Sequence, residues 1–171
     1  MSATFGPGGE NGLDGASNAQ MPRMQVVGQY IKDLSFENPG APASFTTRPQ
    51  IDLSVDLQAR NLQGEHYEVE IKLRVQATAE SKPVFLVELA YAGVFELHNV
   101  PEEMRQPALL IEGPHILFPF ARRIVADVVR DGGMPPLLIE PIDFAGLFRA
   151  RTGEMAQIRA GGAGAPESGT A

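Results

Sequence analysis

The strongest regularity in the chain is an alternation of apolar and polar residues with period two. From Tyr67 to Ala77, the residues Tyr67, Val69, Ile71, Leu73, Val75 and Ala77 alternate with Glu68, Glu70, Lys72, Arg74 and Gln76, the pattern of a strand buried on one face only. Ile51, Leu53, Val55 and Leu57 alternate in the same way with Asp52, Ser54, Asp56 and Gln58. Phe85, Val87, Leu89, Tyr91, Phe95 and Leu97 share one face of a third strand. A fourth strand, over Met24 to Phe36, sets Tyr30, Leu34 and Phe36 against Ile31, Asp33, Ser35 and Glu37. One-sided burial in every strand predicts an antiparallel sheet, because parallel strands are covered on both faces.

After Asn99 the period changes. Asn99 is the expected N-cap, and Pro101 with Glu102 and Glu103 makes a first helical turn that suits the helix dipole. A second helix runs to Asp131 and stops at Gly132 and Gly133, with Pro107, Pro114 and Pro119 predicting kinks or breaks along the way. Between Leu117 and Arg130 two apolar stripes appear: Leu117, Ala121, Ile124 and Val128 form one, and Phe118, Val125 and Val129 form the other. A helix that covers a single sheet needs one stripe, so the second predicts self-association through the helices. Strands first and helices second give an α+β class, a four-stranded antiparallel sheet with helices packed on one face.

Composition adds tails to this domain. Residues 1–22 are dominated by Gly, Ser, Asn and Ala, and residues 151–171 end in AGGAGAPESGTA, so both ends are expected to be flexible tails around a domain at 23–150. The Gly-rich PGGENGLDG has no strand before it and no Walker lysine after it, which argues against a phosphate loop. There is no cysteine, which excludes disulfides and thiolate chemistry. The first residues lack the cationic and apolar segments of a secretory signal, and the apolar run VFLVELAYAGVFEL is interrupted by Glu88 and Glu96. The expectation is a soluble, cytoplasmic protein with no membrane insertion.

Charge changes the picture more. The chain carries 21 acidic and 14 basic residues, a formal charge of −7, which disfavours nucleic acid as a partner. By alternation the outward sheet face holds Asp33, Glu37, Asp52, Asp56, Glu68, Glu70, Glu88 and Glu96 against only Lys72 and Arg74. Such a one-sided face predicts a docking surface for a basic partner, with Leu86 as an apolar centre beside Glu88. The histidines His66, His98 and His115 have no metal-ligand spacing, no Ser sits in a nucleophile elbow, and carboxylates on a wet sheet cannot divide acid from base work. Neither an enzyme nor a cofactor is expected.

The ordered set YIKDLSFENPGAP, YEVEIKLRVQA, VFLVELAYAGVFEL, HILFPFAR and PPLLIEPIDFAGLF resembles the SecB family of protein-export chaperones over roughly residues 25–149. The resemblance implies a homotetramer, a dimer of dimers, that holds unfolded precursor proteins without ATP and passes them to the SecA motor. It implies SecA contacts at Asp33, Glu37, Leu86 and Glu88. It implies a client groove among Leu53, Val55, Leu57, Leu62, Leu137, Ile139, Phe144 and Leu147, with Leu53, Val55 and Leu57 equally placed for core or groove. Subunit contacts are expected at Phe118, Ala121, Val125 and Val129. The sequence departs from some members in carrying Thr47 and Arg48, with no Trp, before the proline that opens the second strand, and in its long tail with few acids. An oligomeric adaptor or a chaperone dedicated to one client is the alternative on the same fold.

Overall fold

The computed structural model describes residues 21–162. Four strands, β1 (Arg23–Glu37), β2 (Gln50–Gln63), β3 (His66–Ala79) and β4 (Lys82–His98), form one antiparallel sheet in the order β1-β4-β3-β2. Tight connections join β2 to β3 and β3 to β4, with Gly64 in the left-handed region (φ 60°) at the first of them. β1 returns by a longer path to lie on the far side of β4, so β1 and β2 are the two edges.

The inner face is built by the alternation seen in the sequence. Val69, Ile71, Leu73, Val75 and Ala77 of β3, and Phe85, Val87, Leu89, Tyr91, Phe95 and Leu97 of β4, are all buried. Each fully buried branched or aromatic side chain contributes about 1.5–3 kcal/mol, and the antiparallel pairs Leu73↔Leu89, Val75↔Val87 and Ile71↔Tyr91 place them side by side.

Helices α1 (Glu102–Pro107) and α2 (Gly113–Asp131) cover that face, joined by one π-helical turn, Ala108–Glu112. The prolines therefore do not break the helical run. The wider π turn sits just before Pro114, where a regular helix would press the proline ring against the carbonyl of Leu110. Asn99 is not the cap: it takes a left-handed φ of 53°, which asparagine tolerates, and Pro101 occupies the capping position. The C-terminus ends as expected, with Gly133 left-handed (φ 88°) and Met134 N–H donating to the Val129 carbonyl at 3.3 Å.

α2 lies close to the sheet because glycines let it. A β-carbon on Gly93 of β4 would stand 2.7 Å from Leu117 Cδ2, and one on Gly113 would stand 3.1 Å from the Val69 side chain. At this separation both stripes of α2 are used within the chain. Ala121, Val125 and Val129 are buried to 1% exposure or less, and Phe118 is nearly so. Phe118 of the second stripe is covered by the segment that follows, whose Met134, Ile139 and Phe144 are buried and whose Phe144 ring lies 5.8 Å from that of Phe118, edge to face. Phe118, Ala121, Val125 and Val129 are thus buried within the chain and do not lie on its surface. The sequence reading takes the second stripe as free for a partner because a stripe count along one helix does not show how closely that helix sits on the sheet.

A third helix, α3 (Phe144–Gly162), runs across the expected boundary at residue 150. Arg149, Ala150, Arg151, Glu154, Met155, Ala156 and Gln157 are good helix formers, so the helix continues where the glycine-rich end suggested a tail. Arg151 Nη1 donates to the Leu57 carbonyl at 2.6 Å, which ties α3 to the edge of β2. The segments 1–20 and 163–171, also expected to be tails, lie outside the described residues.

Replacing Gly93 by Val should force Leu117 out of its position and cost about 1–3 kcal/mol, read as a fall in the urea midpoint with an unchanged slope.

Candidate functional site

Two surfaces carry the sequence-predicted residues: the outer face of the sheet, and a groove between β2 and α3. The outer face depends on how β1 pairs with β4. β1 has two bulges, one between Val26 and Gly28 and one between Ile31 and Asp33. They reverse the side-chain direction of the short segment between them, so Tyr30 points outward and Ile31 toward the helix side, opposite to the expected alternation. Beyond the second bulge the expected faces return. Glu37 stands opposite Leu86, Ser35 opposite Glu88, and Asp33 opposite Ala90. Asp33, Glu37, Leu86 and Glu88 are therefore near neighbours on one surface, with Asp33 and Glu37 exposed and Leu86 and Glu88 half-buried.

The charge on this face is more evenly paired than the sequence indicated. Glu68 and Glu70 are almost buried, at 4% and 5% exposure, and Lys32 and Arg60 reach over them. Arg60 Nε and Nη2 donate to Glu68 at 2.9 and 3.2 Å, Lys32 Nζ donates to Glu68 at 2.8 Å and to Glu70 at 2.6 Å, and the Tyr30 hydroxyl donates to Glu68. Arg74 holds Glu88 at 2.6 Å. The Arg60 guanidinium, helped by Lys32 and Tyr30 and opposed by burial, holds the Glu68 carboxyl down to about 2, and the same carboxylate raises Lys32 and Tyr30 above their ordinary values. Asp33, Glu37, Asp52 and Asp56 have no ion pair among the described residues, and all four lie on the two edge strands. The negative field of the face is thus set along its margins. Sequence reasoning missed Lys32 and Arg60 because Lys32 is a bulge residue and Arg60 follows the last clearly alternating position of β2.

At one end of the sheet His98 Nε2 lies 3.2 Å from Glu96 Oε2, and its Nδ1 lies 3.6 Å from Glu65 Oε2. Histidine spacing along the sequence did not reveal this cluster, since Glu65 reaches it from the β2–β3 turn. Each ring nitrogen faces a different carboxylate.

The groove contains only part of the expected set. Leu57, Ile139 and Phe144 are buried in the core, Leu53, Val55 and Leu137 are half-buried, and Leu62 and Leu147 are exposed. Val55, Leu57 and Leu147 line a cavity of about 240 Å³ together with Leu110, Phe148 and Arg151. It adjoins a larger cleft of about 820 Å³ between Ala59 and Gln106 on one side and Phe148, Thr152 and Met155 on the other. Leu53, Leu62, Leu137, Ile139 and Phe144 line neither cavity. Leu110, Phe148 and Met155 were missed, although the apolar residues Met155 and Ile158 in an otherwise polar C-terminal stretch were the available signal. Met155 and Ile158 remain 53% and 73% exposed.

A shallow, charged sheet face and an open apolar cleft are the features of a protein that binds other polypeptides, and neither arranges groups for covalent chemistry. The comparisons agree with that class. The chain matches the family Preprotein translocase subunit SecB over residues 17–155. It is 55% identical over 139 residues to the protein-export protein SecB of Paramagnetospirillum magneticum, covering 79% of this chain and 89% of that one. It is 49% identical to the protein of the same name from Hyphomonas neptunium, covering 90% and 95%. The fold is similar to that of a SecB-like chaperone of Mycobacterium tuberculosis solved in complex with a ChAD peptide from the HigA1 antitoxin, with a TM-score of 0.60 at 18% identity over 70% of this chain and 91% of that one. The chain belongs to the SecB family, whose members are protein-export chaperones and not enzymes. No helix among the described residues is long and apolar enough to cross a membrane.

Because the folded-state carboxyl of Glu68 is held below its ordinary value of 4.5, its contribution to stability is present above that pH and is lost as pH falls toward about 2. Glu68→Gln should cost about 2 kcal/mol at pH 7, and the gap between variant and parent should close between roughly pH 4.5 and pH 2. Urea unfolding across that range checks it; a gap independent of pH would contradict the assignment.

Proposed function

We propose that the chain is an ATP-independent holdase that binds unfolded precursor proteins in the β2–α3 groove and hands them to SecA at the outer sheet face. The observation that carries the reading is the open apolar cleft beside α3, whose walls of Leu110, Leu147, Phe148 and Met155 suit extended chains of varied sequence. Binding the unfolded state keeps it from folding and aggregating without any nucleotide. The peptide complex of the Mycobacterium tuberculosis relative is in keeping with this use of the fold. For SecA, support comes from Asp33, Glu37, Leu86 and Glu88, which match the family motif and adjoin one another in the sheet. A basic docking element is complementary to the unpaired carboxylates.

The self-associating surface also belongs to this proposal, with different residues from those first expected. β1 is a long uncovered edge, whereas the edge of β2 is partly covered by α3. On the helix side of β1, Ile31 and Leu34 are 48% and 38% exposed, and Phe120 of α2, 45% exposed, stacks at 6.4 Å on Tyr91, the partner of Ile31. This continuous apolar strip is the contact through which the homotetramer, a dimer of dimers, assembles.

Dilution of a chemically unfolded precursor with a molar equivalent of tetramer and no nucleotide should suppress its aggregation. Leu147→Asp, at an exposed groove position, should weaken capture about tenfold, roughly the worth of one leucine contact. Suppression of only one precursor among several would favour a dedicated-client chaperone. Phe120→Asp should split the assembly while leaving the monomer folded, as judged by light scattering and circular dichroism; an unaltered tetramer would show that the strip lies elsewhere.

A further inference from the structure

The positions of Asp33 and Glu37 relative to Leu86 and Glu88 follow from a register that unbroken alternation would not produce. With Met24 opposite Leu97 and no bulges, Asp33 would stand opposite Glu88, and Glu37 opposite Val84. Two carboxylates would then face each other directly, and Glu37 would lie away from Leu86. The two bulges take up two residues, which moves Asp33 to Ala90, Ser35 to Glu88 and Glu37 to Leu86.

The same bulges bring Tyr30 and Lys32 to the outer face. In the unbulged register Tyr30 would pair with Tyr91 and Lys32 with Leu89, both on the core side. Only in the bulged strand can their polar ends cross β4 to reach Glu68 on β3. The path is open because β4 presents small residues, Ala90 and Ala92, where the two side chains pass. Glu68 is almost buried, and it gathers donors from both edge strands: Tyr30 and Lys32 from β1 and Arg60 from β2.

We propose that Glu68 is the positioning residue of the docking face: by holding Tyr30 and Lys32 outward it selects the bulged register of β1, and so sets where Asp33 and Glu37 stand beside Leu86 and Glu88. This rests on the reading of that face as the SecA contact. Glu68 itself, beneath Lys32 and Arg60, takes no direct part in docking. Its loss frees the bulged segment to shift, because the hydrogen bonds that reward the irregular register are gone.

The test uses the full chain and the SecA encoded by the same genome, at low salt. The informative variant is Tyr30→Phe combined with Lys32→Met. It removes one positive charge from the face, so electrostatics alone would tighten binding of a basic element. Loss of positioning instead weakens SecA binding, by about tenfold for a displaced pair of contacts. Glu68→Ala should act in the same direction, and Asp33→Asn should cost less in its background than alone. Both variants should speed amide exchange over residues 28–37 and leave client capture in the β2–α3 groove unchanged; because Ile31 and Leu34 of the assembly strip lie in the same segment, SecA binding is compared at matched oligomer size. Should Glu68→Ala fail to fold, the Tyr30→Phe, Lys32→Met variant carries the test alone. Unchanged or tighter SecA binding by that variant, with Asp33→Asn still weakening it, overturns the proposal. If Asp33→Asn has no effect, the docking reading is what fails, and exchange over residues 28–37 alone then decides whether Glu68 sets the register.

Discussion

A four-stranded sheet with one apolar face must have that face covered, and in this chain a single helical run does it. The approach of α2 to the sheet at Gly93 and Gly113 is therefore the contact on which the rest depends. A side chain at either glycine would lift the helix from β3 and β4 and open gaps along a core in which Val69, Ile71, Val87 and Phe95 are fully dry. The close approach also turns the second stripe of α2 toward its own chain. Phe144 then closes over Phe118 and starts α3, which Arg151 ties to the side of β2.

From that arrangement the functional surfaces follow. With α2 over the middle strands and α3 tied to Leu57, the apolar remainder is divided in two. One part is the cleft between β2 and α3, walled by Leu110, Phe148 and Met155; the other is the uncovered strip along β1 with Phe120. A sheet edge left bare beside exposed Ile31 and Leu34 is an aggregation hazard for a monomer and an assembly surface for an oligomer.

The outer face answers a different constraint. Four strands bring many carboxylates onto one surface, and the two that fall on the central strand β3, Glu68 and Glu70, are buried enough to require partners. Lys32 and Arg60 supply them from the edges, and the bulge at Lys32 is the backbone adjustment that allows it. The acids left unpaired stand at the margins, where solvent hydrates them and a basic partner can reach them. Pairing in the centre and free charge at the rim keep the sheet stable without neutralising it.

The one-sided strands, the antiparallel sheet, the stop of α2 at Gly133 and the absence of catalytic spacing were all legible in the sequence, because period and glycine chemistry are local properties of the backbone. The grouping of Asp33, Glu37, Leu86 and Glu88 on one face was also legible, since alternation survives beyond the second bulge. What sequence could not reveal was decided by contacts between distant segments. The cover over Phe118 comes from Phe144, and the helix past Arg151 is received by the Leu57 carbonyl. The outward turn of Tyr30 needed Glu68, 38 residues away, because a bulge has no strong local code and forms where a distant buried carboxylate makes an irregular register the stable one.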